Sequence, residues 1–323
     1  MRIFFISFFF FATTAFAQKA ITGNQYLNQP LPANNPVLFA PNIISDEFGN
    51  RDMAISPKGD ELFYTLQYRG GFVFSTIMYS KKVNGKWTVP EVAPFCGQYN
   101  DLEPAFSDDG NTLYFSSSRP VSGTEQKDYD IWTIKKETGV WANPQNMESP
   151  VNTALDEYYA SVAKNGDIYF TRAVDGREED IMKCAFEKGK YSDAIALSDS
   201  VNSTGDEFNA FVDPGEQYII FTGYKRKGNI GSGDLFISYK NKNGEWGEAK
   251  NMGNKINGPG LTYCPYITPD KKYFFFTTSR GIFKTPFEKK ENFKELKSYM
   301  QSPLNGWDNI YWVEAKEIIN KQE

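Results

Sequence analysis

The stretch EPAFSDDGNTLYFSSSR, Glu103 to Arg119, decides how the chain is read: an apolar segment, a tight Asp-Gly turn and a second apolar segment follow one another directly. Asp-Gly between two alternating segments is a β-hairpin signal. The unit recurs as AISPKGDELFYT from Ala54, ASVAKNGDIYFTR from Ala160, AFVDPGEQYIIFTG from Ala210 and PYITPDKKYFFFTTSR from Pro265. The turn residues Gly59, Gly110, Gly166, Gly215 and Lys271 are 51, 56, 49 and 56 residues apart. A period of about 50 residues predicts repeated β-sheet blades.

Working outward, each unit holds four strands. After the hairpin come third strands such as IMYSKKV, DIWTIKKE, DIMKCAFE and DLFISYKN, then Gly turns and fourth strands such as KWTVPEVA and VWANPQNM. The aromatic after each turn recurs as Trp87, Trp141, Tyr191 and Trp246, which fits core packing between blades. Asp130, Asp180 and Asp234 stand just before third strands, where a carboxylate fixes the incoming loop. Repeat five has two strands, an inserted stretch in which NFKELKSYM suggests a short helix, and a third strand DNIYWVEAKEII. Its fourth place is vacant, and the lone strand PVLFAPNIIS, Pro36 to Ser45, fits that vacancy. The prediction is an all-β fold: one five-bladed β-propeller over residues 36–319, closed by pairing Val37–Ser45 with Asn309–Ile318, which removes an exposed sheet edge. The alternative is six blades, with SPLNGWDNIYWVEA opening another.

Residues 1–17 carry Arg2, the run IFFISFFFFATTAFA and Ala15-Phe16-Ala17, the pattern of a secretory signal peptide cut after Ala17. No Cys follows that point to accept a lipid and no later run is long enough to span a bilayer, so the expectation is a periplasmic or secreted protein without membrane insertion. Residues 18–35 read as a polar lead-in and 320–323 as a tail. A net charge of −5 gives no basic footprint for nucleic acid. With no histidine in the chain, Ser-His-Asp, Cys-His and His-ligated zinc chemistries are all excluded. Cys96, Cys184 and Cys264 lie at unrelated positions in different repeats, which argues for structural thiols and against a disulfide or metal framework.

Glu103 to Arg119, followed by Asp130-Ile131-Trp132 and then Gly139, Trp141 and Pro144, resembles the TolB-type, WD-like propeller repeats of periplasmic and secreted bacterial proteins. The resemblance covers about Pro36 to Ile319, and its two ends, FAPNIIS with RDMAISPKGDELFYT and NIYWVEAKEII, are similar to those of Bacteroidetes-type members. It implies the propeller fold and an envelope setting. Function does not follow, since propellers bind, scaffold and catalyse alike. Repeats one and five depart from the acidic pattern, with Arg51-Asp52 and Leu261-Thr262.

In a four-stranded blade the loops before the first strand and after the second emerge on one face. That face gathers the acids Asp52, Asp101, Glu103, Asp156, Glu157, Asp206 and Glu207 with Arg119, Arg172 and Arg280. They read either as salt bridges and loop caps between blades or as a ligand-binding site. The longest loops belong to the same face, and the opposite face, built of short Gly turns, is expected to offer little concave surface. The run Asp175 to Asp180 lacks the spacing of a calcium loop. The expectation is a binding or scaffold module for a glycan, peptide or envelope partner, with no cofactor, metal or catalytic residue assigned; the alternative is a glycoside hydrolase using axial carboxylates.

Overall fold

The segment YFFFTT explains why this sequence stacks sheets. In the strand Tyr273–Thr278, successive side chains point to opposite faces. Phe274 and Phe276 pack with Tyr218, Ile220 and Leu235, while Phe275 between them packs with Met53, Leu62 and Tyr64. Both faces are therefore core, each against a different neighbouring sheet. Each fully buried Phe contributes about 2 kcal/mol. Five buried clusters of this kind fill five inter-sheet interfaces.

The computed structural model describes residues 26–126, 128–174, 178–280 and 286–319. The segment expected to be a signal peptide, the first part of the lead-in, the tail and residues 175–177 of the acidic run lie outside the described residues. Five antiparallel sheets surround one axis as a five-bladed propeller. The inner strands are Gly49–Ile55, Asp101–Phe106, Glu157–Val162, Asp206–Val212 and Thr262–Ile267. Each neighbours the next, and the last returns to the first. Second and third strands follow outward by antiparallel pairing, as in Glu61–Arg69 with Val73–Val83.

The fifth blade is completed by the N-terminal strand, which pairs Val37 with Trp312 and Leu38 with Tyr311. The pairing is shorter than the sequence predicts. Only Val37–Leu38 is strand, because Ala40 and Asn42 turn left-handed at φ 43° and 62°, and Asn309–Glu314 gives way to the helix Lys316–Ile319. No sixth blade forms among the described residues: SPLNGW leads into the third strand of blade five, and the one further sheet is the two-residue hairpin of Phe186–Glu187 with Lys190–Tyr191. Fourth strands are likewise only two residues long, as in Glu91–Val92 after Pro90 and Gln145–Asn146 after Pro144, since proline brings no donor to the ladder.

Trp87, Trp141 and Trp246 are buried between blades, and Tyr191 is half-buried, in line with the core reading. Gly110 sits at φ +72°, and a Cβ there would meet Pro57 Cδ of the neighbouring turn at 2.8 Å. In repeat four the left-handed turn residue is Glu216 at φ 52°, one place beyond the glycine that the repeat suggests. The helix Phe293–Met300 is capped by Asn292 and Glu295 in a capping box and buries none of its residues.

Candidate functional site

Every inner strand carries a β-bulge, and the bulges define the axis. The register slips between Arg51 and Met53, Leu102 and Ala105, Tyr158 and Ser161, Phe208 and Phe211, and Tyr263 and Tyr266. Within each slip one residue is left-handed: Asp52, Glu103, Tyr159, Asn209 and Cys264, with φ of 49° to 60°. A non-glycine residue there costs about 1–2 kcal/mol and persists only where its surroundings hold it. The holding group is a hydroxyl from the preceding blade. Glu103 N donates to Thr65 Oγ1 at 3.1 Å, Tyr159 N to Ser116 Oγ at 3.2 Å, Asn209 N to Thr171 Oγ1 at 3.0 Å and Asp52 N to Thr277 Oγ1 at 3.3 Å. The fifth hydroxyl, Thr222 Oγ1, is buried without a hydrogen-bond partner among the described residues.

Two residues before the bulge stand Asn50, Asp101, Glu157, Glu207 and Thr262, and three of these acids hold an arginine. Arg119 Nη2 lies 2.7 Å from Asp101, Arg172 Nε 2.8 Å from Glu157 and Arg226 Nη1 2.8 Å from Glu207. Each guanidinium also donates to a carbonyl of the loop entering its own blade, at Phe95, Val151 and Val201. Each lies over a second-strand ring, Phe115, Phe170 or Phe221, at 4.9 to 5.3 Å. These are clamps inside one blade. Arg280 keeps the carbonyl and the ring, but Thr262 stands where the other clamps have their acid, and burial lowers its pKa. Asp156 accepts from Tyr129 N at 2.7 Å, and Asp206 is half-buried at the start of its strand.

The bulge residues themselves close the axis. Glu103 Oε1 accepts from Arg51 Nη2 at 2.5 Å and Asn209 Nδ2 at 3.0 Å, while Oε2 accepts from Tyr159 N at 2.8 Å and Ser116 Oγ at 3.2 Å. Arg51 also meets Asp52 at 3.0 Å and Cys264 Sγ at 3.3 Å. Burial pushes Glu103 up to about 7, with Asp52 adding and Arg51 opposing. Below this plug the residues three past each bulge, Ile55, Phe106, Val162, Val212 and Ile267, line an apolar chamber of about 110 Å³. The short-turn face is thus concave at its centre, contrary to the expectation from its glycine turns.

Above the plug, on the face of the long loops, lies a chamber of about 320 Å³. Its wall takes one residue from each blade, immediately before the bulge: Arg51, Leu102, Tyr158, Phe208 and Tyr263. A bulge turns two successive side chains toward one side of a strand, which aims these five at the axis. Tyr129 adds a ring 5.1 Å from that of Tyr158. Arg69, 3.5 Å from Asp308, and Tyr263 Oη, 2.9 Å from the same carboxylate, form one polar flank. Glu179 supplies a carboxyl group with no hydrogen-bond or ion-pair partner among the described residues. Its pKa is lifted to about 7, first by burial, then by Glu103 and Asp206.

No protein-family model matches the chain, and no curated protein matches it. Solved structures do. A protein named glycoside hydrolase superposes with TM-score 0.52 at 10% identity, over 88% of this chain and 92% of its own. A TolB from Agrobacterium tumefaciens gives 0.48 at 13%, over 83% and 90%. TolB from Acinetobacter baumannii gives 0.46 at 14%, over 72% of this chain and 49% of its own, so this chain spans about half of that protein. The likeness is one of fold.

Of the ten residues singled out in the sequence, Glu103 alone lines the upper chamber. Asp52 lies within the plug, while Asp101, Glu157, Arg119 and Arg172 form clamps, as does Glu207 with Arg226, which the repeat pattern misses. Among these acids Glu103 is not the structural equivalent of Glu157 and Glu207, which stand two places before their bulges. Asp101 is their equivalent, and Glu103 is the counterpart of Asp52. The chamber residues Tyr129, Tyr158, Glu179, Phe208 and Tyr263 escaped notice because they differ from blade to blade, and a search for repetition discards them.

Proposed function

We propose that the chain is a secreted or periplasmic binding module that receives part of a glycan, peptide or envelope partner in the upper axial chamber. The observation that carries this reading is a chamber whose wall changes chemistry at each of five equivalent positions. Positions under purely structural constraint repeat here, as the clamps and hydroxyl ties do, whereas a site for one asymmetric ligand needs different groups around it. The envelope setting rests on residues 1–17. The hydrolase alternative needs two carboxyl groups free to act. Glu103 is engaged through both oxygens by four donors and Asp308 by Arg69 and Tyr263, so among the described residues Glu179 is the one chamber carboxyl group without a partner, which favours binding over hydrolysis.

The test is capture from glycan and peptide arrays and from envelope extract, comparing the wild type with Leu261→Trp, which fills the chamber, and Tyr158→Ala, which strips its wall. Both variants are expected to lose at least tenfold in affinity while keeping the melting temperature within a few degrees. Capture unchanged in both variants would remove the upper chamber from the function. Turnover of a glycoside abolished by Glu179→Gln would restore the hydrolase.

A further inference from the structure

We propose that the group received in the upper chamber is a cation, an alkylammonium of the kind carried by a lysine side chain or a free diamine, with Glu179 as its counter-charge. The inference rests on the reading of this chamber as the ligand site. It starts from the charges facing the space. Arg51 is held by Asp52 and Glu103 in the plug, and Arg69 lies against Asp308, so both guanidinium groups in the chamber are already neutralised. Among the described residues Glu179 has no such partner. Asp156 and Asp206, at the starts of neighbouring inner strands, add to the same negative field. An entering anion would meet these carboxylates with no free guanidinium among the described residues to receive it.

The remaining wall suits a cation. Ring faces attract positive charge, by about 0.5–2 kcal/mol when water is excluded, and Tyr129, Tyr158, Phe208 and Tyr263 surround the space. Tyr263 already holds one cation in this way, with the Arg51 guanidinium carbon 4.9 Å from its centroid. The electrostatic pattern agrees. Tyr129 and Tyr158 are both raised by burial and then by Asp156 and Glu103, and on Tyr129 Arg51 opposes. Glu179 is raised by burial, Glu103, Asp206 and Asp156, again against Arg51. Near neutral pH a proton on Glu179 offsets this field, and a bound ammonium would take its place.

The experiment is calorimetric titration of the mature protein with N-acetyl-lysine methylamide and with cadaverine, against the neutral N-acetyl-norleucine methylamide, from pH 5 to 8. The expected result is binding of one or both amines at least tenfold tighter than the norleucine probe, strengthening by up to tenfold per pH unit toward 7 and levelling above it. Preference for the lysine probe would indicate a partner's side chain, and preference for cadaverine a free amine. Glu179→Gln should weaken the amines at least tenfold and flatten the pH profile, with the fold intact by circular dichroism. Equal binding of the norleucine probe, or no amine binding while array capture remains sensitive to Leu261→Trp, would overturn the cation and leave the chamber as the ligand site. Insensitivity of capture to Leu261→Trp would overturn both.

Discussion

Glu179 is a carboxyl group in an unfavourable place, and its titration makes a prediction about stability. Its folded pKa of about 7 lies above the ordinary 4.5, chiefly because burial penalises the charged form. The folded protein therefore holds this proton more tightly than the unfolded chain. The associated stability is fully present below about pH 4.5 and is lost as pH rises through about 7. Discounted for partial exposure, the difference is about 1–2 kcal/mol. Glu179→Gln should accordingly melt higher than the wild type at pH 8, and the two should converge near pH 5. A gap that stays constant from pH 5 to 8 would show that Glu179 does not titrate in that range. Nothing in the sequence marks this residue. It lies in the acidic run Asp175 to Asp180, which without calcium-loop spacing reads from composition only as a solvated loop, and its environment comes from residues far away in the chain, from Asp156 to Arg51.

At the scale of the element, the recurring unit is a clamp joining a blade's first-strand acid, second-strand ring and incoming loop through one arginine. Its net value comes mostly from what breaking it leaves behind, because an unpaired carboxylate in a site without water costs several kcal/mol. Glu157 is fully buried and keeps only its bonds from Thr153 once Arg172 is removed. Arg172→Met should therefore destabilise by about 2–4 kcal/mol, and adding Glu157→Gln should recover part of that loss, as a denaturant-melting cycle would measure. Amine or partner binding per folded molecule should not change. An additive double variant would mean that the pair is not coupled. Much of this clamp can be read from sequence, because acids and arginines recur with the hairpins. Arg226 is missed because it follows Thr222 at a greater distance than Arg172 follows Thr171. It folds back over Gly223, where a Cβ would meet its Cδ at 2.8 Å. Bulges stay hidden for a different reason: alternation looks intact on either side of one inserted residue, and the left-handed positions hold Asp, Glu, Tyr, Asn and Cys, which share no composition.

The whole molecule is a ring, and the period near fifty residues made that legible together with its closure, since a three-stranded last blade and a lone first strand have only one joint solution. The extent of the closing segment was not legible. The lead-in reads as polar, yet Leu27 is buried in the core shared by blades five and one, and Tyr26 packs its ring edge-on against Tyr273 and Trp312 at 5.6 and 5.7 Å. Gln29 holds the strand in register, donating to Leu38 O at 2.6 Å and accepting from Ala40 N at 2.7 Å. Three truncations separate these contributions. A chain starting at Tyr26 should melt like one starting at Gln18, because every one of these contacts is kept. One starting at Asn34 loses Leu27 and the Gln29 bonds, and should fall by about 3 kcal/mol, mostly from the emptied core position. One starting at Asp46 also loses Phe39 and Ile44, both fully buried, and uncovers the edge of Asn309–Glu314. Each blade buries its faces only against its neighbours, so opening one seam exposes both flanking blades and an unpaired strand. That variant should unfold well below the other two and associate through the open edge, which thermal denaturation and size-exclusion chromatography would read together. If it stays monomeric and melts with the chain starting at Tyr26, the ring does not depend on its N-terminal strand.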